Sequence, residues 1–128
     1  MSFEEAEIIK RRAEAFLRNS EDLIGKKEWD LAVFSLEQYC QLILKYKMLV
    51  HFGTYPRTHS IRRLIKDLTK INTKLRSFIE DEDKLHYIAR LEEAYVASRY
   101  FPYTYEEKET ISLFKFVKEV FKPIIDEL

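Results

Sequence analysis

The chain has 128 residues, of which 46% are hydrophobic and 34% are charged. These fractions are typical of one soluble globular domain, here residues 1–128, and they exclude a disordered chain. The 22 basic and 22 acidic residues cancel, so no overall field draws the chain to nucleic acid or membrane, and any such binding must be local.

Hydrophobic periodicity predicts an all-α fold, because apolar residues recur three or four positions apart with only two Gly and three Pro to interrupt them. The wide apolar face of the second predicted helix indicates several packing neighbours. Pro123 predicts a kink or an end in the last helix. The expected fold is an antiparallel up-and-down bundle of four long helices plus a short helical piece. The predicted helices cover about 2–24, 27–51, from 58 or 59 to 71, 75–79 (the short piece), 80–100 and 105 to the C-terminus.

Several classes of site are not expected. The single cysteine, Cys40, cannot form an internal disulfide, which suits a reducing cytoplasm, and we interpret it as a small buried hydrophobe. His51, His59 and His86 lack metal-binding spacing, so neither a metal nor another cofactor is expected. No apolar run approaches the ~20 residues that cross a bilayer, so we expect a cytoplasmic protein without a membrane partner.

The segment 57–76 carries a strong local charge. It holds seven Arg and Lys residues against a single acid, Asp67. Arg62, Lys66 and Lys70 are four residues apart and form one stripe opposite the apolar side of the predicted helix. The stripe is either a docking surface for phosphate, RNA or an acidic partner, or the solvated face of an amphipathic helix. Its complement in a second subunit would be an acidic stretch, with candidates at 80–83, 92–93 and 106–109.

Polar residues interrupt the apolar face of the second predicted helix. Gln38, Gln41 and Lys45 form a strip there. Buried amides need hydrogen-bond partners, and we expect these partners on another helix or another subunit. His59 stands where the third helix is expected to begin, so a capping or packing role competes with a ligand-binding role.

Residues 95–109, YVASRYFPYTYEEKE, combine a helix break with one Arg and four Tyr. The helix dipole alone accounts for Arg99 near a helix C-terminus, and Tyr100, Tyr103 and Tyr105 can cover the end of a bundle. A guanidinium flanked by phenols also suits a phosphate or base-stacking site. The segment is therefore either a helix–helix corner or a binding site.

Together these motifs resemble the HEPN domain family, named for higher-eukaryote and prokaryote nucleotide binding, across nearly the whole chain. The resemblance implies an all-α bundle, a homodimer, and frequent pairing with a separate minimal nucleotidyltransferase in toxin–antitoxin or defence systems. The residues that carry it are Trp29, Ala32, Gln38, Gln41, Lys45, the helix start His59-Ser60-Ile61, Tyr95, Arg99, Tyr100 and the Tyr105-Glu106-Glu107 run.

Many members of this family are metal-independent ribonucleases with an Arg followed four to six residues later by a His. Here Tyr105 stands six residues after Arg99, and a phenol with an ordinary pKa near ~10 is a poor general base at neutral pH. We therefore predict a non-catalytic module that binds a nucleotide or RNA, or that docks a nucleotidyltransferase. The alternatives are a ribonuclease with an altered site built from Arg99, Tyr105 or His59, and a purely structural oligomer. The expected binding residues are Arg99, Tyr100, Tyr105, Lys45, His59, Gln38 and Gln41.

Overall fold

The computed structural model describes residues 3–100 and 104–128, without the side chains of residues 98 and 99. Within these ranges the chain is helical and forms no strand, which confirms the predicted fold class. No helix in them is long and apolar enough to span a bilayer. The elements in chain order are α1 (Phe3–Gly25), α2 (Trp29–Phe52), α3 (Ile61–Leu68), a 3-10 turn (Thr73–Arg76), α4 (Ser77–Glu80), α5 (Glu82–Tyr100), α6 (Glu107–Phe116), a π-helical turn (Val117–Phe121) and α7 (Lys122–Asp126).

α2 is the central helix of the bundle. Half of it is buried, 12 of its 24 residues, and it packs against α1, α3, α5 and α6. Aromatic rings join it to the C-terminal part of the chain, where Tyr39 meets Phe121 edge-on with ring centroids 6.2 Å apart. Phe78 of α4 contacts the same ring at 5.5 Å. Cys40 is fully buried within this core, as predicted.

α3 begins later than its sequence periodicity predicts. The expected start was Thr58 or His59, but Ser60 is the N-cap, because its Oγ accepts a hydrogen bond from the N–H of Arg63 at 3.2 Å. The helix also ends at Leu68, before the predicted position 71. His59 consequently lies in the loop that leads into α3, next to the cap.

The C-terminal helix is continuous from Glu107 to Asp126 through three successive segments. Pro123 has no N–H to donate to the carbonyl of Glu119, and the helix widens to a π-helix over Val117–Phe121 in the turn before it. The interruption predicted at Pro123 therefore takes the form of a π-helical turn.

Candidate functional site

The basic segment forms one exposed surface on and beside α3. We call it the basic face and define it by seven exposed side chains. Among the described residues, ion pairs reach only two of them, at 2.8 Å between Arg62 and Glu92 and at 3.4 Å between Lys74 and Glu127. The opposite side of α3 is fully buried, which fixes the backbone positions of the three cations on this helix, Arg62, Arg63 and Lys66. The residues of the basic face are Arg57, Arg62, Arg63, Lys66, Lys70, Lys74 and Arg76.

A single carboxylate from α5 holds the start of α3. Glu92 Oε1 accepts hydrogen bonds from the N–H of Arg62 at 2.7 Å and from the hydroxyl of Ser60 at 3.2 Å. Its Oε2 accepts from Nε and Nη2 of the Arg62 guanidinium at 3.1 and 2.8 Å. Glu92 belongs to an acidic stretch that was a candidate for a second subunit. It instead meets the basic segment within the same chain.

His59 and Tyr95 form a stacked pair at one end of the basic face. Their ring centroids lie 4.2 Å apart with an interplanar angle of 21°, and the Tyr95 hydroxyl lies 3.1 Å from His59 Nε2. His59 is exposed, whereas Tyr95 is half-buried against the bundle. The structure therefore places the predicted ligand-binding His59 at the surface, with one ring face covered by a tyrosine.

Behind this surface, α2 contains a completely buried carboxyl group, that of Glu37. The amide Nε2 of Gln38 donates to Glu37 Oε1 at 2.7 Å, and the amide of Gln41 donates to Oε2. Burial is the main cause that raises the pKa of Glu37 from 4.5 to about 7. The two amide hydrogen bonds lower the pKa, the nearby carboxylate of Glu92 raises it, and the ammonium of Lys45 lowers it.

The amides of the predicted polar strip of α2 are hydrogen-bonded, but not to the partners that were expected. Gln38 and Gln41 were expected to bond to another helix or subunit, and they bond instead to Glu37 of their own helix. Burial lowers the pKa of Lys45, whose Nζ lies 5.5 Å from the ring centroid of Tyr55 in the loop before α3. Sequence reasoning missed Glu37, although a Glu followed by Gln at the next and fourth positions of an apolar helix was a usable signal.

The histidines do not converge on one site. His51 Nε2 lies 2.8 Å from the carbonyl oxygen of Leu128, His59 stacks on Tyr95, and His86 is exposed on α5. Across residues 3–100 and 104–128, no group of three or more His, Cys, Asp or Glu side chains could hold a metal ion.

Comparison with known proteins identifies the family. The family model described as the HEPN domain matches residues 6–128. The chain belongs to the HEPN family. No curated protein and no solved structure matches it.

In this HEPN chain, Tyr105 occupies the position where the resemblance would place a catalytic His, and its surroundings are those of a packing residue. It is 2% exposed, its N–H donates to Asp30 Oδ1 at 2.7 Å, and its hydroxyl donates to the carbonyl of Arg90 at 3.0 Å. The Arg90 guanidinium lies 4.8 Å from the ring centroid and also bonds to Glu109 at 2.7 and 2.8 Å. Burial raises the pKa of Tyr105, which disfavours the phenolate that a general base requires.

The other residues predicted around the helix break are described only in part. Tyr100 ends α5 and is 74% exposed. The side chain of Arg99 and all of Tyr103 lie outside the described residues. The site that can be built from described side chains is therefore the basic face together with the stacked pair, the Glu92 contact and the buried Glu37 group.

Proposed function

We propose that this HEPN protein is a non-catalytic module that binds single-stranded RNA through the basic face. The observation that carries the proposal is charge segregation. A chain with no formal net charge collects seven cations against one acid over residues 57–76, and all seven side chains are exposed. Five of them have no ion pair within the described residues. The family membership supports a nucleotide- or RNA-related role.

The physical basis is the attraction between fixed cations and a phosphate backbone. Arg62 and Lys66 are one helical turn apart on α3, which spaces their Cα atoms by about 6 Å along the axis. Lys70, which was predicted to continue the helical stripe, lies instead in the turn after the helix ends at Leu68. Each phosphate that a cation neutralises releases condensed counterions, so the affinity falls as salt rises, with a slope near ~0.7 per contact for a single strand. The buried side of α3 keeps the backbone of Arg62, Arg63 and Lys66 in place, so no refolding of the helix is needed to present these cations.

The test is the affinity for a short single-stranded RNA, measured by fluorescence anisotropy over a range of salt concentrations. Lys66→Glu combined with Lys70→Glu should weaken binding by at least about tenfold and reduce the salt slope by about 1.4. The matched control combines Lys108→Glu with Lys115→Glu, two exposed lysines on α6, and should leave both quantities nearly unchanged. Absence of RNA affinity in the unmodified protein at low salt, or an equal loss in both double variants, contradicts the proposal.

We propose that the protein is not a ribonuclease because Tyr105, which stands where the resemblance would place a catalytic His, is buried and hydrogen-bonded. Its hydroxyl already donates to a backbone carbonyl, and its ring packs beneath Arg90. Abstracting a proton from RNA would therefore require Tyr105 to break its contacts with Arg90. Incubation of RNA with the protein and a metal chelator should yield no cleavage products. Cleavage that disappears in Arg99→Ala would instead support the altered ribonuclease.

A further inference from the structure

The stacked pair belongs to the same stretch of chain as the basic face, and exposed cations flank His59 in the sequence. His59 is exposed and covers one face of Tyr95, with 4.2 Å between the ring centroids. In the sequence it lies between Arg57 and the neighbouring pair Arg62 and Arg63, all of which are exposed. A phosphate-binding surface thus carries a ring at its edge.

The backbone on the C-terminal side of His59 is fixed before any ligand arrives. The N–H of Ser60 donates to Thr58 Oγ1 at 3.1 Å, and the Ser60 hydroxyl donates to Glu92 Oε1 at 3.2 Å. Glu92 and Tyr95 are three residues apart on α5, so the residue that anchors the start of α3 lies one turn from the ring that supports His59. A ring positioned in this way loses little conformational freedom on binding, which favours affinity.

We propose that His59, supported by Tyr95, is the nucleobase contact of this protein. An unpaired base stacks on the outer face of the imidazole while Arg63 and Lys66 contact the neighbouring phosphates. The inference rests on the proposed RNA-binding function and specifies what that surface recognises beyond charge.

Single-stranded RNA is the ligand that fits this combination of groups. Stacking requires an accessible base face, and a duplex hides its bases within the helix. Stacking on an aromatic ring tolerates every base, so the pair predicts preference for unpaired bases without strong sequence preference. Of the two acids that precede Tyr95 on α5, Glu92 is already engaged by Ser60 and Arg62, and Glu93 is engaged by Arg90.

The experiment compares a short single-stranded RNA with an abasic strand of the same length and phosphate count, at one salt concentration. The unmodified protein should bind the base-bearing strand about 5- to 150-fold more tightly for one stacked base. His59→Ala should remove most of this ratio, while His59→Phe, which retains a stacking ring, should preserve it. An RNA with one 2-aminopurine should lose fluorescence on binding to the unmodified protein and to His59→Phe, and much less on binding to His59→Ala.

The outcomes separate this inference from the proposed function. Equal affinity of the unmodified protein for both strands, or an unchanged ratio in His59→Ala, overturns the stacking contact while RNA binding by the basic face stands. No affinity for either strand overturns the proposed function and this inference with it. Far-UV circular dichroism of His59→Ala checks that helix content is retained, and Lys66→Glu combined with Lys70→Glu should weaken both strands by the same factor.

Discussion

Tyr95 and Tyr105 both lie beside nitrogen-containing side chains, but their surroundings differ. Tyr95 is half-buried and supports an imidazole that faces solvent. Tyr105 is buried under the guanidinium of Arg90, and its N–H and hydroxyl are both hydrogen-bonded within the chain. The comparison shows that residue type alone does not make a site. The surroundings of Tyr95 leave an exposed ring, that of His59, at the surface, whereas the surroundings of Tyr105 are buried.

Two arginine–glutamate pairs repeat the same contrast. Arg90 contacts Glu109 with two hydrogen bonds at the corner between α5 and α6, where the pair covers the ring of Tyr105. The guanidinium of Arg62 donates two hydrogen bonds to Glu92 at the start of α3, where the pair anchors a surface whose cations remain exposed. The first pair lies over a buried tyrosine, and the second lies within the exposed basic face.

The largest expected effect on stability comes from removing the buried ring of Tyr105. Tyr105→Ala removes a ring that is 2% exposed together with its contacts to the carbonyl and guanidinium of Arg90 on α5, and should lower the free energy of unfolding by about 3–5 kcal/mol. Urea denaturation monitored by circular dichroism measures it. His59→Ala, which truncates an exposed ring, should change the same quantity by less than about 1 kcal/mol. Comparable losses of unfolding free energy in the two variants would contradict the distinction between the buried Tyr105 and the exposed His59.

The second prediction concerns the buried carboxyl group behind the surface. Burial holds the pKa of Glu37 at about 7 against 4.5 in the unfolded chain, so between these values the folded state retains a proton that the unfolded state releases. Unfolding therefore releases a proton, and stability falls as pH rises from about 4.5 to about 7. Glu37→Gln removes this dependence and should stabilise the protein at pH 8 by up to about 3 kcal/mol, with little difference near pH 4.5.

The measurement is the difference in unfolding free energy between the variant and the unmodified protein at each pH, which cancels the contributions of other groups. Glu119→Gln, at an exposed position of the C-terminal helix, is the control and should show no such rise. A difference between Glu37→Gln and the unmodified protein that stays constant from pH 4.5 to 8 would show that Glu37 keeps an ordinary pKa.

The smallest expected effect compares two buried hydroxyls. The Tyr105 hydroxyl donates to the Arg90 carbonyl, whereas the Tyr39 hydroxyl is buried without a hydrogen-bond partner in the described part of the chain. Tyr105→Phe should lower the free energy of unfolding by about 1 kcal/mol, and Tyr39→Phe should leave it unchanged or raise it by about 1 kcal/mol. Thermal unfolding of both variants measures the difference, and a loss in Tyr39→Phe equal to that in Tyr105→Phe would contradict it.

Apolar spacing and charge counts along the sequence predicted the helices and the basic segment, because helix formation and local charge depend on residues that are close in sequence. Apolar spacing located α1, α2 and α5 to within a few residues, and the charge count located the basic segment. The start of α3 was wrong because Thr58 and Ser60 can each cap a helix, and only the bonds from Arg63 and to Glu92 select Ser60. Glu37 was missed because a glutamate on a helix is usually solvated, and only packing shows that this carboxyl group is enclosed with the amides of Gln38 and Gln41.

The sequence by itself determined the all-α bundle, the family and the presence of a basic segment, since periodicity, motif order and charge are properties of the linear chain. The tertiary structure decided which groups are available. It buried Tyr105 and placed His59 on Tyr95 at the surface, and it brought Glu92 of α5 to Arg62 of α3. These pairings join residues about 30 or more positions apart, and their distances are set by how the helices pack, which local patterns do not encode.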